Sequence, residues 1–360
     1  MIHKTCFTKE WLENVKHQHP QWSINPPLLE KMVYALSLVE LLAHHGLNFI
    51  FKGGTSLALL LDTPKRFSID IDIITQENQD KISSVLNKIC EEHHFSYWSL
   101  DEKRSYQQGI PKAHYELYFE ALYNKNAYIL LDILFEETPY PITHRYTIDQ
   151  TWLSIDKPFI PIQLPSIEAI TGDKLTAFAP KTIGIRYSFL TEKGIDKSTE
   201  IIKQLFDIGQ LFDKIQNFEH VSYAFRQIEA KERTYRSEMS DKTIETVFND
   251  IIETCLMIAK FDDRDNSPEM TEIRKGINSF KNWGLIPFRR DQVQEAVGKV
   301  AYLILKIKKQ DSNKPLLFNE LLNKSDYLIP NDSPYNYLNK KLKNLPNGAL
   351  FYWYHAVKML

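Results

Sequence analysis

Cysteine is scarce in this chain: Cys6, Cys90 and Cys255 are the only three in 360 residues, odd in number, far apart and never in a Cys-x-x-Cys pair. That excludes a disulfide framework and a zinc-finger site, and it sets the expected compartment as a reducing cytoplasm. Long apolar runs are missing as well. No stretch approaches the roughly 18 consecutive apolar residues that a spanning helix needs, and residues 1–20 lack the apolar segment of a secretory signal. Neither membrane insertion nor secretion is expected. There is no Gly-x-x-x-x-Gly-Lys-Ser/Thr run and no Gly-x-Ser-x-Gly elbow, which disfavours P-loop ATPase and hydrolase readings. The histidines show no i, i+4 spacing of a zinc helix. His44-His45 and His93-His94 are adjacent pairs at the ends of expected helices, where ring nitrogens can bond free carbonyls, and they receive no function.

Enough apolar matter is present to fold. Hydrophobic residues make up 43% of the chain and charged residues 25%, outside the range of disordered or fibrous chains. A length of 360 residues favours two domains over one. Net charge is −2, but unevenly placed. Residues 270–360 hold 15 Lys and Arg against 7 Asp and Glu, a net of +8, and the preceding 269 residues carry −10. A basic tail on an acidic body is compatible with holding a polyanion, or with an ordinary solvated surface.

Periodicity divides the chain into two kinds of structure. Residues 28–45 have helical spacing and end before Gly46, which suits the left-handed position after a helix. A short strand at 48–51, a Gly53-Gly54 turn and a helix from about Thr55 follow. Residues 68–73 then alternate with period two as a strand with Ile69, Ile71 and Ile73 inward. A helix is expected within 76–94, and strands at 113–123 and 128–135. From 165 onward the pattern turns helical, at 167–178, 198–212, 218–232, 242–259 and 291–308. In the last of these, Lys299, Lys306 and Lys309 fall opposite the apolar stripe and form a basic face. The reading is an α/β domain over 1–150 and a helical domain over 151–360 that includes the basic tail, with the proline-rich stretch 138–165 between them.

The chemistry concentrates in residues 51–73. Asp70 and Asp72, two apart in a strand, project to one face about 7 Å apart, at ~3.3 Å rise per residue. Two hard oxygen donors on one rigid edge suit Mg²⁺, which takes its remaining ligands from water and substrate phosphates. Just upstream, Gly53 and Gly54 allow close backbone approach, and the amides of Thr55 and Ser56 at a helix start can hold an anion. Either motif alone is commonly a turn or a polar strand edge. Together they place a phosphate site beside a metal site.

This combination resembles the DNA polymerase β-like nucleotidyltransferases. More closely, Gly53-Gly54-Thr55-Ser56-Leu57 followed by Arg66-Phe67-Ser68-Ile69-Asp70-Ile71-Asp72 looks like the signature of the AbiEii/AbiGii-type nucleotidyltransferase toxins. Gly172-Asp173-Lys174-Leu175-Thr176-Ala177 and Lys203-Gln204-Leu205-Phe206-Asp207-Ile208 are similar to two later helices of that family, so the likeness covers about residues 28–212. It implies a small mixed sheet followed by a mainly helical domain. It also implies Mg²⁺ or Mn²⁺ at Asp70 and Asp72, Lys174 on the triphosphate of an NTP, and Asp207 completing the site. Lys52, Gly53, Gly54, Thr55, Ser56, Arg66 and Ser68 would line the phosphate edge. A third carboxylate is usual in this fold, and Asp132, inside the apolar run 130–134, is the candidate. Two readings of Asp132 stay open, a metal-ligating catalytic carboxylate and a polar edge residue.

The function implied is transfer of NMP from an NTP to an acceptor hydroxyl by the toxin of a toxin–antitoxin or phage-defence pair. The implied partners are a cognate antitoxin and tRNA or another RNA as acceptor. Two alternatives stand beside it. One is modification of a protein or small molecule, the other a non-catalytic nucleotide-binding module.

Overall fold

The computed structural model describes every residue of the chain except Gln108, Asn126 and Glu192. The chain separates into two units, one formed by residues 1–166 with 282–286, the other by 167–281 with 287–360.

In the first unit the helices are α1 (Lys9–Gln18), α2 (Pro26–His44), α3 (Gly53–Leu60), α4 (Gln79–Glu92) and α5 (Glu102–Ser105). The strands are β1 (Ile50–Lys52), β2 (Ile71–Thr75), β3 (Phe95–Leu100), β4 (Tyr106–Gln107), β5 (Ile110–Phe119), β6 (Ala127–Phe135), β7 (Thr143–Thr147) and β8 (Pro161–Pro165). The sheet runs β3-β5-β6-β2-β1-β8-β7, with β4 paired to β5. It is mixed: β2 and β6 are parallel, as are β1 and β8, while β1–β2, β5–β6, β3–β5 and β7–β8 are antiparallel. The proline-rich stretch 138–165 therefore supplies two strands of this sheet rather than a bare connection. The prolines bracket short extended pieces, and Pro161 and Pro165 stand at the first and last positions of β8, where a lost donor interrupts the ladder least.

Helix α2 begins with Pro26 and Pro27, whose fixed φ suits a first turn, and is buried along nearly its whole length from Leu29 to Leu42. It stops where Gly46 takes φ +76°, as the sequence suggests. Helix α4 starts at Asn78, whose side chain accepts from the Lys81 N–H, and buries the expected stripe of Ile82, Val85, Leu86 and Ile89.

The second unit is helical: α6 (Ile167–Ala177), α7 (Ser198–Phe212), α8 (Phe218–Thr234), α9 (Ile244–Lys260), α10 (Pro268–Phe280), α11 (Arg290–Lys308), α12 (Tyr337–Leu342) and α13 (Asn347–Val357). Gly172 of α6 sits where an added Cβ would come within 2.7 Å of the Phe225 backbone nitrogen, so α6 and α8 cross in close contact because that position has no side chain. Tyr352 and Trp353 are fully buried in α13, as packing residues. The expected basic face of α11 is not there. Lys299 and Lys306 are buried at 6% and 1% exposure; Lys299 lies 3.1 Å from both Asp213 and Glu295, and Lys306 pairs with Asp311. Helical spacing puts these lysines opposite the valine stripe. It cannot show that Phe212 and Tyr352 lie against Lys299 and Phe218 against Lys306, and a covered lysine must find a carboxylate. Lys309 alone of the three is exposed.

Candidate active site

Four polar residues form one row across four neighbouring strands. The register sets Lys52 of β1 opposite Asp72 of β2, Asp72 opposite Asp132 of β6, and Asp132 opposite His114 of β5. Directly opposed residues project to the same face, with adjacent backbones about 4.8 Å apart. The row thus reads ammonium, carboxylate, carboxylate, imidazole. The next row, Phe51-Ile73-Ile133-Ala113, is fully buried and points to the other face, as does Ile71-Leu131-Tyr115 on the far side. Period two along each strand, repeated across the sheet, puts charge on one face and core on the other.

Asp132 is therefore not on a sheet edge: β6 lies between β2 and β5. Its Oδ1 lies 2.5 Å from Nδ1 of His114, which is 8% exposed. An ionised carboxylate only accepts, so Nδ1 carries the hydrogen and donates. His114 is the residue that sequence reading missed. Its buried neighbours Ala113, Tyr115 and Leu117 follow the expected alternation, but only the β5–β6 register tells which residue of β6 it faces.

The glycine turn lies against this row. Helix α3 starts at Gly53 itself, two residues before its expected start, and Gly53 has φ +77°. A Cβ there would stand 2.0 Å from Asp72 Oδ2, and one on Gly54 would stand 2.4 Å from Arg66 Nη2 and 2.8 Å from Ser68 Oγ. Both glycines are needed for the backbone to come this close to the carboxylate and the guanidinium. Lys52, Gly53 and Gly54 are half-buried. Thr55 and Ser56, expected to offer amides to an anion, are at 0% exposure; their hydroxyls donate to the Asp70 carbonyl at 2.6 Å and the Gly53 carbonyl at 2.8 Å. They hold the turn in shape from beneath.

Asp70 also departs from expectation. Strand β2 begins at Ile71, so Asp70 precedes it, exposed, and Ile69 is only half-buried. The segment before Ile71 bonds elsewhere. Phe67 N–H donates to the Trp283 carbonyl at 2.7 Å, and Arg66 bridges to Gly284. Arg66 is 7% exposed, with Nη1 donating to its neighbour's carbonyl at Phe67, 2.8 Å away. Asp72, in the strand, is half-buried, and the Asp132 side chain is 26% exposed.

The donor set fits a hard divalent cation. Asp72 and Asp132 put two carboxylates side by side on rigid strands, and Gly53 puts no side chain against Asp72. Lys52 flanks the pair on one side and His114 on the other.

In the second unit, Lys174 of α6 and Asp207 of α7 are partners: Nζ lies 2.8 Å from Oδ2 and donates to Gln204 Oε1 at 3.0 Å. They are 6% and 1% exposed. The two later motifs of the sequence thus meet each other.

Register-aligned carboxylates stand beside a helix that starts on a glycine pair, on one face of a mixed sheet. The sequence matches the family described as nucleotidyl transferase AbiEii toxin, type IV toxin–antitoxin system, over residues 37–281, more than half of the chain. The protein belongs to that family and is a nucleotidyltransferase toxin. Membership implies a cognate antitoxin. No curated protein matches the chain. Similar solved structures include MenT4, a nucleotidyltransferase toxin from Mycobacterium tuberculosis H37Rv, with 12% identity over 80% of this chain and 98% of that one and a TM-score of 0.47. Another is an antigenic nucleotidyltransferase-like protein from Paracoccidioides brasiliensis, with 13% identity over 61% of this chain and 92% of that one and a TM-score of 0.34. Among the described residues no helix is long and apolar enough to cross a membrane.

Proposed function

We propose that this toxin transfers a nucleoside monophosphate from an NTP to an acceptor hydroxyl, and that Asp70, Asp72 and Asp132 would hold Mg²⁺ or Mn²⁺. The observation that carries the reading is the row Lys52-Asp72-Asp132 lying against the Gly53 turn. The acceptor oxygen attacks the α-phosphorus, the bond from that phosphorus to the β-phosphate oxygen breaks, and pyrophosphate leaves with the electron pair. Asp132 takes the acceptor's proton, held in place by the hydrogen bond from His114. Gly53 and Gly54 give the triphosphate a close backbone approach, and Lys52 offers positive charge beside it. The cation, when bound, screens the charge between carboxylates and phosphates and lowers the barrier to attack.

The acceptor in this reading is the 3′ end of tRNA, in keeping with the net charge of +8 over residues 270–360. One observation favours a second acceptor class, a protein or small molecule: Lys299 and Lys306 are engaged in buried ion pairs and are withdrawn from phosphate binding. The test is transfer of α-³²P label from each of the four NTPs onto total tRNA with Mg²⁺, against an Asp70→Ala, Asp72→Ala variant. Labelled RNA from the wild type alone supports the proposal and names the base. Metal-dependent nucleotide binding without labelled RNA transfers the search to protein and small-molecule acceptors. Toxicity that survives the double substitution overturns the enzymatic reading.

A further inference from the structure

The two histidine pairs, far apart in sequence, meet in the first unit at the ends of two helices. His45 caps α2 and His93 caps α4, and their Nε2 atoms lie 3.2 Å apart. Glu92 Oε2 is 3.7 Å from His45 Nε2 and 4.0 Å from His93 Nε2. Among the described residues, these three bring their ligand atoms within 4.8 Å of one another.

We propose that His45, Glu92 and His93 form a Zn²⁺ site distinct from the Asp72–Asp132 edge. Four observations support it. First, two nitrogens each about 2.05 Å from a tetrahedral Zn²⁺ stand about 3.3 Å apart, so the observed 3.2 Å separation is already that of two ligands on one ion. Second, the His45 side chain is 9% exposed and the His93 side chain 18%, so both imidazoles are shielded from competing water. Third, the site collects the C-terminal ends of two helices, whose aligned peptide dipoles favour a cation. Fourth, the donors suit this ion: two imidazoles and one carboxylate are a zinc set, whereas Mg²⁺ prefers oxygen alone. The Glu92 side chain is 56% exposed and the His45 side chain 9%, so the carboxylate closes the site from the solvent side and the fourth position is open to water. The His44 ring, 5.0 Å from that of His45, stands just outside.

A bound ion would tie the end of α2 to the end of α4. Without one, the two imidazoles share a single hydrogen between facing nitrogens. The remaining member of the quartet is engaged otherwise: His94 Nε2 lies 3.0 Å from Ser37 Oγ, and its ring packs against Phe7.

The experiment uses the full chain, stripped of metal and titrated with Zn²⁺ against a chromophoric chelator, and with Co²⁺ to read the ligand-field band of nitrogen-ligated, four-coordinate metal. Expected are one Zn²⁺ per chain, a Co²⁺ band, and a rise in melting temperature with Zn²⁺. All three should persist in Asp72→Asn, Asp132→Asn protein, which lacks two carboxylates of the proposed catalytic edge. His45→Ala and His93→Ala should each weaken binding by about 100-fold, and Glu92→Gln by about 10-fold, at the scale on which ligands and their partners act. Binding lost in the double asparagine variant overturns the proposal by locating the ion at the catalytic edge. So does a wild type without the Co²⁺ band, which decides the matter even where a histidine variant fails to fold.

Discussion

Replacing Gly53 by alanine puts the geometry of the glycine turn under test. Two costs arise and can be separated. The left-handed backbone, φ +77°, costs an alanine roughly 1–2 kcal/mol. The added Cβ would lie 2.0 Å from Asp72 Oδ2, whereas ordinary contact begins near 3.4 Å, so the carboxylate or the helix start must retreat by more than 1 Å. A misplacement of about 1 Å in a catalytic array costs on the order of 100-fold in rate. Gly46→Ala is the control: φ is +76° and nothing lies within 4 Å of its Cβ, so it carries the backbone cost without the clash. In urea unfolding Gly46→Ala should lose only the backbone cost, and Gly53→Ala at least as much. Only Gly53→Ala should lose label transfer, by about 100-fold at equal protein and metal. Transfer by Gly53→Ala within a few-fold of wild type would refute the argument that the turn positions Asp72.

Further outcomes follow from other groups. His114→Ala should lower label transfer and Mn²⁺ affinity by about 10–100-fold, whereas His114→Asn, whose amide nitrogen can reach the place of Nδ1, should restore both to within a few-fold; equal loss in the two variants would mean that the imidazole matters for packing alone. Asp250 accepts from the Lys181 N–H at 2.9 Å and the Thr182 hydroxyl at 2.7 Å, and burial raises its pKa from 3.8 to about 6. The folded state therefore binds this proton more tightly than the unfolded state. The stabilisation is complete below about pH 4 and is lost as pH rises through 6, by about 3 kcal/mol at 1.36 kcal/mol per unit. Asp250→Asn should flatten that part of the urea-stability profile between pH 4 and 7, and parallel profiles would contradict it.

Much of this was legible in the sequence because it is local. Helix α7 falls where its spacing puts it, and α2 ends at the glycine expected to end it. The Gly-Gly turn and Asp72 announce themselves within twenty residues of each other. What was not legible depends on what packs against what. The period-two pattern runs back to Ser68, yet β2 starts at Ile71, because the chain before it is bonded elsewhere, Phe67 N–H to the Trp283 carbonyl. Lys299 and Lys306 read as a solvated face until α7 and α13 are placed against the first and α8 against the second. His114 and the His45–His93 contact join residues whose only relation is register or the convergence of two helix ends. Strands β7 and β8 hid among prolines, which spacing reads as connection.

The parallel pairing of β2 with β6 also bears on when the toxin becomes dangerous. Asp72 meets Asp132 only when a strand translated sixty residues later slides in beside it, and β6 in turn lies between β2 and β5. A parallel, long-range pairing of this kind closes late in folding. A nascent chain on the ribosome, or a product of premature termination before Ala127, holds the glycine turn and the first two aspartates but has no strand to set beside them. In the mechanism proposed above, such incomplete copies lack the Asp72–Asp132 pair whatever the antitoxin does.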